Sequence, residues 1–90
     1  MPTLRVPTLL KYYLNDQTEV AVSGPTVAAV LKDLVSQHPA IQSHLFDNNG
    51  QVRRHINLFV NADNIRDLDG LETTVGVDDV VKILPSVTGG

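Results

Sequence analysis

Between Thr26 and Pro39 lies the one stretch of this chain with a sustained helical period. Val27, Val30, Leu31 and Leu34 recur at i, i+3, i+4 and i+7, which puts them on one face of a helix. Ala28, Lys32, Asp33 and Ser36 fall mostly elsewhere on the wheel. Ser23-Gly24-Pro25 punctuates the chain just before, Thr26 offers an N-cap oxygen, and Pro39 disfavours the α region at His38. The spacing predicts a helix of about three turns ending near Gln37 or His38. A single amphipathic helix in a 90-residue chain has to bury its stripe against something else, and the flanking segments decide what.

Those segments alternate with a period of two. Thr3-Leu4-Arg5-Val6 reads as a strand with Leu4 and Val6 inward, ended by Pro7. Glu19 to Ser23 reads as its hairpin partner, across turn material at Asn15-Asp16-Gln17. Between them, Leu9, Leu10, Tyr12 and Tyr13 form either a short helical turn or a covering loop, with the tyrosines at the edge of the core. After the helix, Ile41 to Phe46 forms a short turn capping one end of the core, and Asp47 to Gly50 an exposed loop. Arg54 to Val60 reads as a third strand, with Ile56, Leu58 and Val60 on one face and Asn57 and Phe59 on the other. Asn61 to Asn64 turns the chain into a short return strand at Ile65-Arg66, and Leu71 and Val75 dip into the core from the loop that follows. Asp78-Asp79, a solvated turn, leads into the last strand, Val80 to Leu84, with Val81 and Ile83 inward and Val80, Lys82 and Leu84 outward. Pro85 stops that strand, having no N–H for a ladder.

The resulting order is strand, strand, helix, strand, short strand, strand. The first and last strands are far enough apart in the chain to lie parallel at the centre of a sheet. The predicted class is α+β: a β-grasp (ubiquitin-like) fold, a mixed sheet with one main helix packed across one face. Residues 1–85 form that domain, and residues 86–90 a flexible C-terminal Gly-Gly tail. Five residues span roughly 16–18 Å when extended. The two glycines lack Cβ atoms, so backbone and carboxylate fit a narrow slot in another protein.

Composition removes several function classes. The formal net charge is −3 and no basic patch exceeds Arg53-Arg54, which argues against nucleic acid as a partner. The absence of cysteine excludes disulfide scaffolds, thiolate metal sites and cysteine nucleophiles together. His38, His44 and His55 lack zinc-protease spacing, so no metal site is expected. Ser23 and Ser36 have no nucleophile-elbow setting, and Ser23-Gly24-Pro25-Thr26 has neither the length nor the lysine of a phosphate loop. No catalytic residue is assigned. No apolar run reaches the ~18–20 residues of a membrane span, and no charged-then-apolar leader opens the sequence. A cytoplasmic protein without membrane partners is the expectation.

With this body, the terminal run Ile83-Leu84-Pro85-Ser86-Val87-Thr88-Gly89-Gly90 resembles that of the small sulfur-carrier proteins. These include the molybdopterin synthase small subunit and the thiamin-pathway carrier, and the resemblance is strongest to the cysteine-biosynthesis carriers. Supporting stretches are Pro7-Thr8-Leu9-Leu10, Asn57-Leu58-Phe59-Val60-Asn61, Asp63-Asn64-Ile65-Arg66 and Gly70-Leu71-Glu72-Thr73. Ser86 and Thr88 stand where the cysteine carriers tend to have alanines, and Val77-Asp78-Asp79 replaces an Asp-Gly turn. Both departures leave the pathway open.

The resemblance implies a carrier, not an enzyme. A carboxylate is a poor electrophile at neutral pH, so an adenylating (ubiquitin-activating-like) partner would use ATP to activate Gly90. Sulfide or a persulfide would then displace AMP, leaving a thiocarboxylate for a sulfur-accepting synthase. Gly90 is the implied adenylation and thiocarboxylate site, Gly89, Thr88 and Val87 form the tail, and no cofactor is bound permanently. The alternatives are a ubiquitin-like modifier joined to lysine through Gly90, and a molybdopterin synthase small subunit. Alternation supplies the partner-binding surface: Phe59, Val80, Lys82 and Leu84 on the uncovered sheet face, with Pro85 at the root of the tail. Phe59, Val80 and Leu84 are expected to form one contiguous apolar patch there.

Overall fold

The computed structural model describes residues 1–85. Five strands form one sheet: β1 (Thr3–Arg5), β2 (Glu19–Ala21), β3 (Ile56–Val60), β4 (Asp63–Asn64) and β5 (Val80–Pro85), in the order β2-β1-β5-β3-β4. β1 and β5 run parallel at the centre and the other neighbours are antiparallel. This is the expected β-grasp arrangement, and the helix explains its single-sided core. α1 (Val27–Gln37) buries Val27, Val30, Leu31 and Leu34, the four residues of the stripe. They meet the inward faces of the strands, where Leu4, Val20, Ile56, Leu58, Val60, Val81 and Ile83 are all buried.

The helix begins where its sequence signals place it. Thr26 is extended (φ −135°), and its Oγ1 accepts a hydrogen bond from Ala29 N–H at 3.2 Å. Two backbone bonds tie this end to the segment before β5: Val27 N–H to Thr73 O (3.0 Å) and Val75 N–H to Pro25 O (2.9 Å). At the other end Gln37 donates to Asp33 Oδ2 (2.9 Å) and to Ala21 O (3.1 Å), holding the helix to β2. Gly24 is needed for its size and its backbone angle. At φ +151° a Cβ there would stand 2.7 Å from Ala29 Cβ and 2.9 Å from the Ala29 and Val30 backbone.

Some connections follow expectation and others differ, each for a local reason. Thr8–Leu14 is a 3-10 helix, closed by left-handed Asn15 (φ 56°) and Asp16 (φ 64°). It buries Leu10 and Leu14, while Tyr12 stands outside the core at 78% exposure and Tyr13 packs against it. A 3-10 turn eclipses i and i+3, so Leu9 and Tyr12 share the outward side. The chain from 39 to 45 makes a 3-10 turn (Pro39–Ile41) and one turn of α-helix, α2 (Gln42–Leu45), burying Ile41 and Leu45. The return strand is Asp63–Asn64, two residues earlier than expected, and Ile65–Asp67 turns as a 3-10 helix because Asn64 Oδ1 caps Arg66 N–H at 2.9 Å. Val75 is buried as expected, but Leu71 is 37% exposed; Thr73 is buried instead, with its hydroxyl donating to Gly70 O at 2.7 Å.

Pro85 does not stop β5 at Leu84; it lies within the strand, opposite Ile56. Thr3 N–H donates to Asp79 O and Asn61 N–H to Val80 O, so odd-numbered backbone groups of β5 face β1 and even-numbered ones face β3. The nitrogen of Pro85 therefore points to the β1 side, and β1 has already ended at Arg5, opposite Lys82. A missing N–H there breaks no ladder bond.

Candidate functional site

α1 covers one side of the sheet, and the other side carries the outward residues of each strand. Strand pairing puts Glu19, Arg5, Lys82, Phe59 and Asn64 in one row across it, from β2 to β4. Val80 and Leu84 lie along β5 on either side of Lys82, and Leu84 pairs with Asn57. Leu84 is 42% exposed, whereas Phe59, Val80 and Lys82 are half-buried.

The surface has the expected residues, with a lysine set among the apolar ones. Lys82 is opposite Phe59, with Val80 and Leu84 diagonal to the ring on β5 and Arg5 on the lysine's other side. The face therefore combines two cations, Arg5 and Lys82, with the apolar side chains of Phe59, Val80 and Leu84. Arg5, beside Lys82, is a member of the face that the sequence reading did not include. Its alternation with Leu4 and Val6, combined with a parallel β1–β5 pair, was the signal that identifies it. Arg5 Nε lies 3.2 Å from Glu19 Oε2, with both side chains more than half exposed. A pair of that kind contributes about 0–1 kcal/mol, so it orients Arg5 more than it stabilises the sheet.

Arg5, Pro7, Thr8, Thr18, Lys82 and Leu84 line a shallow cleft of about 460 Å³ where β1 departs from β5. Leu84 is one residue from Pro85, so the cleft lies at the root of the terminal segment. Pro85 is described only through its backbone pairing, and the implied site residues Val87, Thr88, Gly89 and Gly90, with the predicted 86–90 tail, lie outside the described residues.

β5 is aimed by a side-chain lock at its other end. Asn61 Nδ2 donates to Asp79 Oδ1 (3.0 Å), Val80 N–H donates to Asn61 Oδ1 (3.0 Å), and Gly76 N–H donates to Asp79 Oδ2 (2.8 Å). The Gly76 amide foremost, and the Asn61 amide after it, hold the Asp79 carboxyl below its ordinary range. The lock joins the end of β3 to the start of β5, and so sets the register that places Phe59 beside Lys82.

Among the described residues, no three His, Asp or Glu side chains gather as a metal site. His44 stacks on Tyr13 with ring centroids 4.0 Å apart. No helix among them is long and apolar enough to cross a membrane.

The family model described as the ThiS family matches residues 4–90, from β1 through the terminal Gly89-Gly90. The chain belongs to the ThiS family. The sulfur carrier protein CysO of Mycobacterium tuberculosis is 37% identical over 90 residues, covering 98% of this chain and 97% of its own. A chain in the crystal structure of the Amycolatopsis orientalis BexX/CysO complex superposes with a TM-score of 0.90 at 33% identity, covering 100% of both chains. The solution structure of the small archaeal modifier protein 1 from Methanosarcina acetivorans has a TM-score of 0.89 at 30% identity, covering 99% of this chain and 95% of that one. A chain of a CysO complex and an archaeal modifier thus share the fold of this chain.

Proposed function

We propose that this chain is a sulfur carrier. The observation that carries the reading is the match to sulfur carrier protein CysO over 98% of this chain and 97% of the relative, within a family match that runs to Gly90. In this reading, an oxygen of the Gly90 α-carboxylate attacks the α-phosphorus of ATP on an adenylating partner, and pyrophosphate leaves. Hydrosulfide then attacks the acyl carbon and AMP leaves, which converts the carboxylate to a thiocarboxylate. A sulfur-accepting synthase, of cysteine biosynthesis by the resemblance of the terminal run, takes the sulfur. The chain is a protein co-substrate in the cytoplasm: the partners hold ATP and acceptor and supply the catalytic groups. Its own contribution is recognition. The partner grips Phe59, Val80, Lys82 and Leu84, and the segment beyond Pro85 enters its active site.

The likeness to the small archaeal modifier protein favours one other reading, in which activated Gly90 is joined to a lysine of another protein. Intact-mass spectrometry of the chain isolated from its own cell separates the two. The carrier reading predicts a species with one sulfur in place of one oxygen. High-mass conjugates bearing a Gly-Gly remnant on lysine, with no sulfur-bearing species, would replace it with the modifier reading.

A further inference from the structure

Two adjoining clefts, of about 340 and 430 Å³, lie away from the Phe59–Lys82 face, among α1, α2 and the turns around Gly50 and Gly70. Gly50 and Leu71 border both, so the two meet along those residues as a two-part groove. Its walls carry Val35, Phe46 and Val52, three hydrophobic residues that pack only partly against the core, and Leu71, which is 37% exposed. Ile56 and Leu58 reach it from the inward side of β3, so it opens on the opposite side of the sheet from Phe59.

The charge of this groove departs from that of the chain. Ten acids outnumber seven bases overall, yet the lining contains Lys32, Arg53 and Arg66 and no Asp or Glu. Asp47, beyond Phe46, is held in its own turn, accepting from the amides of Asn49 (2.8 Å) and Gln51 (3.0 Å). Backbone carbonyls orient both arginines: Arg53 Nε donates to Ser43 O at 2.9 Å and Arg66 Nη2 to Arg54 O at 3.3 Å. Each guanidinium keeps further N–H donors for a carboxylate.

We propose that this groove docks an acidic amphipathic segment of a partner protein. Its apolar side chains would lie against Val35, Phe46 and Leu71, with its carboxylates against Lys32, Arg53 and Arg66. Apolar walls supply the buried contact and rim charges select the sign of the ligand. The surface lies on the other side of the sheet from the one assigned to the activating partner, so a carrier could be held here while its open face is engaged. The inference goes beyond the carrier reading and does not depend on chemistry at Gly90.

The test is an NMR titration of the isotope-labelled full chain with a synthetic peptide of about 14 residues, leucines at helical i, i+3 and i+7 spacing and glutamates between them. The expected result is saturable shifts at Lys32, Val35, Phe46, Arg53 and Leu71 that spare Arg5, Phe59 and Lys82. The double variant Arg53→Glu/Arg66→Glu should weaken binding about tenfold or more, and a peptide with lysines for its glutamates should restore it. Lys32→Glu, at an exposed helix position, should act in the same direction without disturbing a backbone bond. Absence of saturable binding, shifts centred on the Phe59–Lys82 face, or affinity unchanged by Lys32→Glu and by the double reversal would each overturn the proposal.

Discussion

Replacing Asn61 should unfasten β5 at its start, and two variants separate the causes. Asn61 sits at φ 56°, gives one hydrogen bond to Asp79 and takes one from Val80 N–H, while its own backbone N–H bonds Val80 O at 2.7 Å. Asn61→Gly keeps the backbone bond and the left-handed angle but removes both side-chain bonds. At an exposed site these are worth about 0.5–1 kcal/mol each, so the cost is about 1–2 kcal/mol. Asn61→Ala removes the same bonds and adds about 1 kcal/mol for a Cβ in the left-handed region, giving about 2–3 kcal/mol. For a domain of this size each kcal/mol corresponds to about 4–8 °C in melting temperature. Urea unfolding of the three proteins measures the series directly. The expected order of stability is Asn61, then glycine, then alanine. Equal stability of the two variants, or alanine above glycine, would refute the left-handed cost; losses below about 0.5 kcal/mol in both would refute the lock.

Gly24→Ala should cost about 2 kcal/mol or more, because its Cβ meets helix backbone at 2.9 Å and not a movable side-chain end; thermal melts check it. Asp79 makes stability pH-dependent in a defined direction. Its folded pKa lies below the ordinary 3.8, so its contribution is full above that value and is lost as pH falls through the folded pKa. The stability gap between wild type and Asp79→Asn, followed by urea unfolding from about pH 6 to pH 2, should therefore shrink on acidification. Phe59→Ala should weaken binding of the adenylating partner by about 1–3 kcal/mol and fold stability much less, since the ring is on the open face; calorimetric titration beside thermal melts reads both.

Much of this architecture was legible because regular periods encode it. The stripe from Val27 to Leu34 is a 3.6-residue pattern and all four positions are buried. The outward placement of Phe59, Val80, Lys82 and Leu84 follows from alternation alone, and β3–β5 pairing brings them together. The errors fall where no period exists. Tyr12 and Leu71 sit in or beside 3-10 turns, whose eclipsed residues give an outward side that hydrophobicity alone does not reveal. Pro85 reads as a strand end until one knows which neighbour its nitrogen faces. The Asn61–Asp79 lock joins residues 18 apart in the chain, and no local pattern announces a side-chain bond of that span. The place of Lys82 beside the ring needed the register, because only pairing puts the lysine opposite Phe59.

The central claim is that Gly90 receives sulfur, and the chain makes it easy to read because it contains no cysteine to take up sulfur elsewhere. The deciding measurement is intact-mass and fragment spectrometry after incubation with the adenylating partner, ATP and hydrosulfide, on the full chain and on the chain lacking Gly90. The carrier account predicts exchange of one oxygen for one sulfur, localised to the Gly90 carboxyl, dependent on ATP, and absent from the shortened chain. Sulfur loading that survives removal of Gly90, or a full chain that stays unmodified while the same partner loads its own carrier, would contradict it.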